Sequence, residues 1–314
     1  MTETPRLSPE DYARSVVAVP PLALDDDGHF AADANRRVLS HIADGGISTV
    51  LYGGNANIYH FGAGLFREAL EGVFAVCPEN LDILFSIGPD FGKAMDQAED
   101  LKDVGIKNAL LLPMAFPSDS AGIVAGARQL AEKLGFGLVL YIKRDAYLAP
   151  EALQTLIGEG TVSYVKYAVE RGDPAQDPYL DAILDAVGVD KVASGMGETP
   201  IADHIGGRGM STFTSGAVCI APAASNALLS LYRAGRTDEA AELAAPFLEF
   251  ERHRAELGGT SVLHDSMGIA GIAECGPLTP LVTNLDDAAR KTLAPVIDRL
   301  LAAESAVRDR KIAV

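Results

Sequence analysis

The chain has 314 residues, 48% of them hydrophobic, enough for one barrel-sized core or two ordinary ones. Its formal net charge of −17 repels a phosphate backbone and an anionic membrane surface, so nucleic acid and membrane are excluded as partners. A small anionic ligand stays open, because a few cations focused in one cleft outweigh a screened surface field. No run of about 18 apolar residues occurs, and the opening MTETPRLSPEDYAR has neither the basic nor the apolar region of a secretory leader, so a cytoplasmic location is expected. Cys77, Cys219 and Cys275 are scattered, odd in number and without metal-ligand spacing; they read as reduced thiols.

Short apolar runs bounded by turn residues alternate with segments of helical period. The first strand is predicted at residues 15–19, followed by VPPLALDDDG, whose acidic stretch reads as a solvated turn. A doubly wound sheet would place a glycine-rich phosphate loop there, so the open-sheet alternative is disfavoured. Further strands are predicted at 47–52, 82–87, 108–112, 138–142, 162–167, 191–194 and 209–214. Between them lie helices at 91–104, 121–133, 150–157 and 178–187, several ending at glycine as helix C-termini do. Eight strands with crossover helices predict an α/β protein, a (β/α)8 TIM barrel, over residues 10–221. Beyond it the pattern turns helical at 226–235, 237–257 and 286–307, predicting a C-terminal helical extension over 222–314 packed on the barrel.

The sharpest single feature is Lys166, a charged residue inside the apolar strand TVSYVKYAV. Burial disfavours an ammonium, and the neutral amine it leaves is the nucleophile that condenses with a carbonyl to a Schiff base. A lysine at a strand end can equally snorkel into solvent and do nothing. Tyr141 ends the preceding strand in GLVLYIKRD, and neighbouring barrel strands bring their C-terminal ends together at one face. A phenol beside the lysine can relay protons, although a lone strand tyrosine is also commonly a core residue with a wet hydroxyl.

Together with LYIKRD and YVK, the stretch from VPPLALDDDG to STVLYGG, the segment SGMGE and GGRGMSTFTSGAV resemble the dihydrodipicolinate synthase and N-acetylneuraminate lyase family of class I aldolases, over residues 15–280. The resemblance implies that Lys166 forms the Schiff base, that Tyr141 relays protons, and that the loop after the second strand, Gly53, Gly54, Asn55, Ala56 and Asn57, holds a carboxylate. Small residues there let backbone N–H groups approach an anion, and the Asn55 amide adds a donor; a plain tight turn is the bland reading. The family's loop has the form Gly-Thr-Thr-Gly-Glu, and the synthase links a threonine hydroxyl to a second tyrosine after strand four. Gly54 and Phe116 offer neither group, so lysine-pathway synthase activity is not expected. Tyr141, Arg144 and Asp145, with Ser215-Gly216-Ala217-Val218 after strand eight, are closer to the 5-dehydro-4-deoxyglucarate dehydratase branch.

Glu198 lies where neuraminate lyases bind sugar hydroxyls, or is a helix-start acid favoured by the dipole. His60 and Ser215 are further pocket candidates. Lys143 and Arg144 are cationic donors for a distal carboxylate, or solubilising charges. No metal is expected, since a lysine imine supplies the electron sink, and no organic cofactor beyond that covalent imine. The function implied is a lyase acting on a small-molecule 2-keto acid, by dehydration of a deoxy keto sugar acid or by aldol cleavage. A non-catalytic keto-acid sensor on the same barrel is the rival class. The family's habit implies a homotetramer or homodimer.

Overall fold

In the computed structural model, residues 3–278 and 280–310 are described. The last four residues of the predicted extension, 311–314, lie outside them. Eight parallel strands close into a barrel in the order in which they occur in the chain: β1 Val17–Ala18, β2 Thr49–Tyr52, β3 Asp82–Ile87, β4 Ala109–Leu111, β5 Leu138–Ile142, β6 Val162–Tyr167, β7 Val192–Ser194 and β8 Thr212–Ser215. The β1–β8 pairing, with Ala18 opposite Ser215, completes the ring. The predicted barrel is therefore the fold, and all eight predicted strands are present.

A short helix, α1 Pro9–Tyr12, precedes β1. It is fixed by a capping box between Ser8 and Asp11, which satisfies donors that a four-residue helix would otherwise leave open. It brings Tyr12 against Tyr164 of β6, with ring centroids 4.3 Å apart, plugging the N-terminal end of the barrel. Side chains alternate along a strand, so Lys166, two residues beyond Tyr164, points into the same lumen at the C-terminal end. Tyr167 points the other way and donates to the Asp177 carboxylate at 2.8 Å.

The crossover helices are α2 Ala32–Asp44, α3 Ala63–Val76, α4 Phe91–Val104, α5 Ser120–Leu134, α6 Pro150–Gly158 and α7 Pro178–Val187. Asp119 and Asp177 cap α5 and α7 through their side chains. After β7 stands a single π-helical stretch, Ala202–Gly207, and after β8 the helix α8 Pro222–Arg233. Three more helices follow α8 in the C-terminal helical region: α9 Thr237–Leu257, α10 Gly259–Ile269 and α11 Asp287–Arg310. Glu304 of α11 accepts from the Ala223 and Ala224 N–H groups, tying α11 to the start of α8. The α9–α10 junction folds back over the C-terminal mouth of the barrel. Among the described residues no helix is long and apolar enough to cross a membrane.

Candidate active site

The C-terminal ends of the strands open into a cavity of about 940 Å³, the face where (β/α)8 barrels carry their chemistry. Tyr141 and Lys166 are direct partners in the β5–β6 register and both line it. Lys166 is buried, 7% exposed. Its ammonium nitrogen donates to the Gly195 carbonyl at 3.2 Å and sits 3.7 Å from the centroid of the Tyr141 ring. Gly195 is required there, because a Cβ would lie 2.7 Å from the Tyr167 carbonyl oxygen and 3.1 Å from Lys166 Cγ. No carboxylate pairs with the lysine among the described residues. A ring face favours the charged amine by about 1–2 kcal/mol, but desolvation outweighs it. Burial, followed by the Lys143 and Arg254 charges, pulls Lys166 down to about 7. Burial in turn raises the Tyr141 phenol, which keeps it a proton donor at neutral pH.

Gly53, Gly54, Asn55 and Asn57 of the loop after β2 all line the cavity, as does His60 from an exposed position on the rim. Asn57 is buried with φ +58, a left-handed conformation that asparagine tolerates better than most residues. Asn55 is held at both ends of its amide: Nδ2 donates to the Val19 carbonyl at 2.8 Å, and Oδ1 accepts from Arg254 Nη2 at 3.1 Å. Ser215, at the end of β8, lines the cavity. Its hydroxyl lies 2.7 Å from Glu198 Oε1.

Two predicted residues are placed elsewhere. Glu198 is buried at 1% exposure and lies behind Ser215, outside the lining. Ser225 also donates to its Oε1, at 3.2 Å, while Oε2 has no partner among the described residues. Burial, then repulsion from the Glu251 carboxylate, pushes Glu198 above the usual carboxylate range. Arg144 is exposed, its guanidinium carbon 5.1 Å from the Tyr147 ring centroid; it is Lys143 that lines the cavity.

Several lining residues carry no signal in the sequence. Arg254 and Glu251 come from α9, where ERHRAE has the look of a solvated helix face. Tyr59 follows the β2 loop. Arg171 lines the β6 side, paired with Asp145 and, at 2.8 Å, with Asp177. His204, in the π-helical stretch, lies 2.9 Å from Ser194 Oγ through Nδ1, and burial pulls it down to about 4. It is a neutral imidazole. Among the described residues, no group of three or more His, Cys, Asp or Glu is placed to hold a metal ion.

The site is thus a desolvated lysine on β6 beside a β5 tyrosine, at the C-terminal mouth of a closed (β/α)8 barrel. No family model matches the chain. It is 22% identical over 310 residues to a probable 5-dehydro-4-deoxyglucarate dehydratase of Delftia acidovorans, covering 95% of this chain and 99% of that one. It is 25% identical over 146 residues to the 5-dehydro-4-deoxyglucarate dehydratase of Pseudomonas putida, 46% of this chain and 48% of the other. In fold it is similar to dihydrodipicolinate synthase from Oceanobacillus iheyensis (TM-score 0.79, 20% identity, 95% and 98% of the two chains). The same holds for the sialic acid aldolase of Ruminococcus gnavus (TM-score 0.81, 15% identity, 94% and 99%). The resemblance seen in the sequence, to the synthase and lyase family with a dehydratase branch, is thus to the same proteins that these comparisons return.

Proposed function

We propose that the protein is a lyase that binds a 2-keto acid as a Schiff base on Lys166 and removes water from a deoxy keto sugar acid. The observation that carries this reading is Lys166 itself, buried on the Tyr141 ring with no counter-ion among the described residues and held near 7. Dehydratase names among the relatives support the choice of reaction.

The neutral Nζ attacks the keto carbon. Tyr141 gives its proton to the departing oxygen, which leaves as water, and the phenolate is balanced by the new iminium. The iminium acidifies the adjacent deoxy carbon, and the phenolate takes that proton to give an enamine. If the next carbon carries a hydroxyl, the enamine expels it with the proton returned by Tyr141, a second water is released, and hydrolysis of the conjugated iminium frees the product and Lys166. Lys143, at the cavity rim, suits a distal carboxylate; Ser215 suits an intervening hydroxyl. Assembly as a homodimer or homotetramer and a cytoplasmic location belong to the same reading.

Incubation with pyruvate and cyanoborohydride is expected to add one reduced ligand mass per chain, mapped by peptide analysis to Lys166. An adduct on another lysine, or none with any keto acid tried, refutes the proposal. A panel of deoxy keto-aldarates and keto-aldonates then separates the reactions: loss of water supports the hydro-lyase, while pyruvate plus an aldehyde moves the protein to aldol cleavage.

A further inference from the structure

A keto acid joined to Lys166 carries its carboxylate on the carbon next to the imine, inside the cavity, and that charge needs a partner there. Besides Lys166, three cations among the described residues line the space: Lys143, Arg171 and Arg254. Arg171 is engaged by Asp145 and Asp177. Lys143 stands exposed at the rim. Arg254 is different, its side chain only 14% exposed and its fork fixed on three sides. Nε donates to the Gly259 carbonyl at 3.2 Å, Nη1 to both Glu251 oxygens at 2.8 and 3.0 Å, and Nη2 to Asn55 Oδ1 at 3.1 Å. A guanidinium has five N–H donors, so one Nη2–H has no acceptor among the described residues.

The surroundings are shaped for this group. At Gly216 a Cβ would stand 3.2 Å from Arg254 Cζ, 3.1 Å from Asn55 Nδ2 and 2.9 Å from Leu263 Cδ2, so the absence of a side chain is what admits the guanidinium to the mouth. In the ring of strands, β2 and β6 are diametrically opposed. Asn55, on the loop after β2 and bonded to Val19 beyond β1, therefore holds Arg254 across the mouth from Lys166. A largely buried Arg–Glu pair is a poor source of stability, since desolvation offsets most of its attraction.

We infer that Arg254, supplied by the extension helix α9 and oriented by Asn55, anchors the carboxylate of the keto acid bound to Lys166. The inference rests on the Schiff-base reading above and deepens it. Glu251 competes with the ligand for the same fork, and this gives the test a sign that a structural role does not share: removing the arginine weakens anion binding, whereas removing the Glu251 charge strengthens it.

The experiment measures half-saturation for reductive trapping at Lys166 with pyruvate and with its uncharged analogue methyl pyruvate, by intact mass, in the wild type, Arg254→Met, Arg254→Lys and Glu251→Gln. Arg254→Met is expected to raise the pyruvate value on the order of 10- to 100-fold, as for loss of a charged hydrogen bond, with methyl pyruvate changed less than about threefold. Arg254→Lys falls between, because a point charge replaces the fork. Glu251→Gln lowers the pyruvate value and leaves methyl pyruvate unmoved; it keeps the guanidinium and decides the matter even where Arg254→Met does not fold. An unchanged pyruvate-to-methyl-pyruvate ratio in Arg254→Met, or a Glu251→Gln that weakens pyruvate, overturns the inference while leaving the Schiff base standing. No adduct at Lys166 in the wild type removes both.

Discussion

Lys166→Met should stabilise the protein, and by an amount that depends on pH in a calculable way. Burial lowers the lysine from 10.5 to about 7, so between those values the unfolded chain binds a proton that the folded chain does not. Stability then falls as pH drops, because its slope follows the excess of protons on the unfolded state. At about 1.4 kcal/mol per unit, the full shift costs roughly 5 kcal/mol below pH 7 and vanishes above about 10.5. At pH 7 about 4 kcal/mol of it is present and at pH 9 about 2. Methionine fills a similar volume without titrating. The gain of Lys166→Met over the wild type in urea unfolding should therefore be about 2 kcal/mol larger at pH 7 than at pH 9, other groups cancelling in the difference. The trapping rate of the wild type with a keto acid should rise through pH 7 and level off above it, as the neutral amine appears. A pH-independent gain, or a trapping rate still climbing near pH 10, refutes the desolvated-lysine argument.

Tyr141→Phe removes one hydroxyl and keeps the ring beneath Lys166, so folding should be nearly unchanged while turnover falls by roughly 10²-fold; normal turnover in a steady-state assay demotes Tyr141 to a wall residue. Glu198 has a folded value raised above 4.5, so the stability its proton contributes is present at low pH and is lost as pH rises through the raised value. Glu198→Gln, neutral at every pH, should flatten that alkaline loss in thermal melts compared at pH 6 and pH 9, and an unaltered pH profile counts against a protonated Glu198. Condensation of pyruvate with aspartate semialdehyde should be negligible in a coupled assay, since Gly54 has no hydroxyl and Phe116, 86% exposed, lines no part of the cavity; efficient product formation contradicts that reasoning.

The barrel was legible because its signal is local. Apolar runs such as DILFSI and LVLYI, punctuated by glycines that end helices, specify strand and helix in turn, and the predicted bounds of β3, β5, β6, α4, α7 and α9 agree with those observed. α10 went unpredicted because GTSVLHDSMGI has weak intrinsic helicity and no side-chain cap; burial of Val262, Leu263 and Met267 supplies what propensity does not. In the site, the placement of Lys166 beside Tyr141 could be anticipated, since adjacent strands fix their separation. Arg254 could not: it lies 199 residues from Asn55, and nothing in its own segment distinguishes a cation turned into the cavity from one turned to water. That Glu198 and Arg144 stand outside the cavity lining was hidden for a related reason, because position near a strand end gives the face of the barrel but not the direction of the side chain.

The choice between an enzyme and a keto-acid sensor turns on where the chain tolerates unfavourable features. Natural sequences keep local rules except where function opposes them. Here several exceptions meet: Lys166 and one Glu198 oxygen, unpaired among the described residues, the largely buried Arg254–Glu251 pair and the neutral His204 all lie at or just behind the C-terminal mouth. A sensor has use for the cations, since anion recognition asks for charge. It has no use for a lysine whose charge is suppressed, because a neutral amine binds a carboxylate worse than an ammonium does. Suppressing that charge serves attack on a carbonyl, and among the features at this mouth it is the one that recognition alone leaves without a reason.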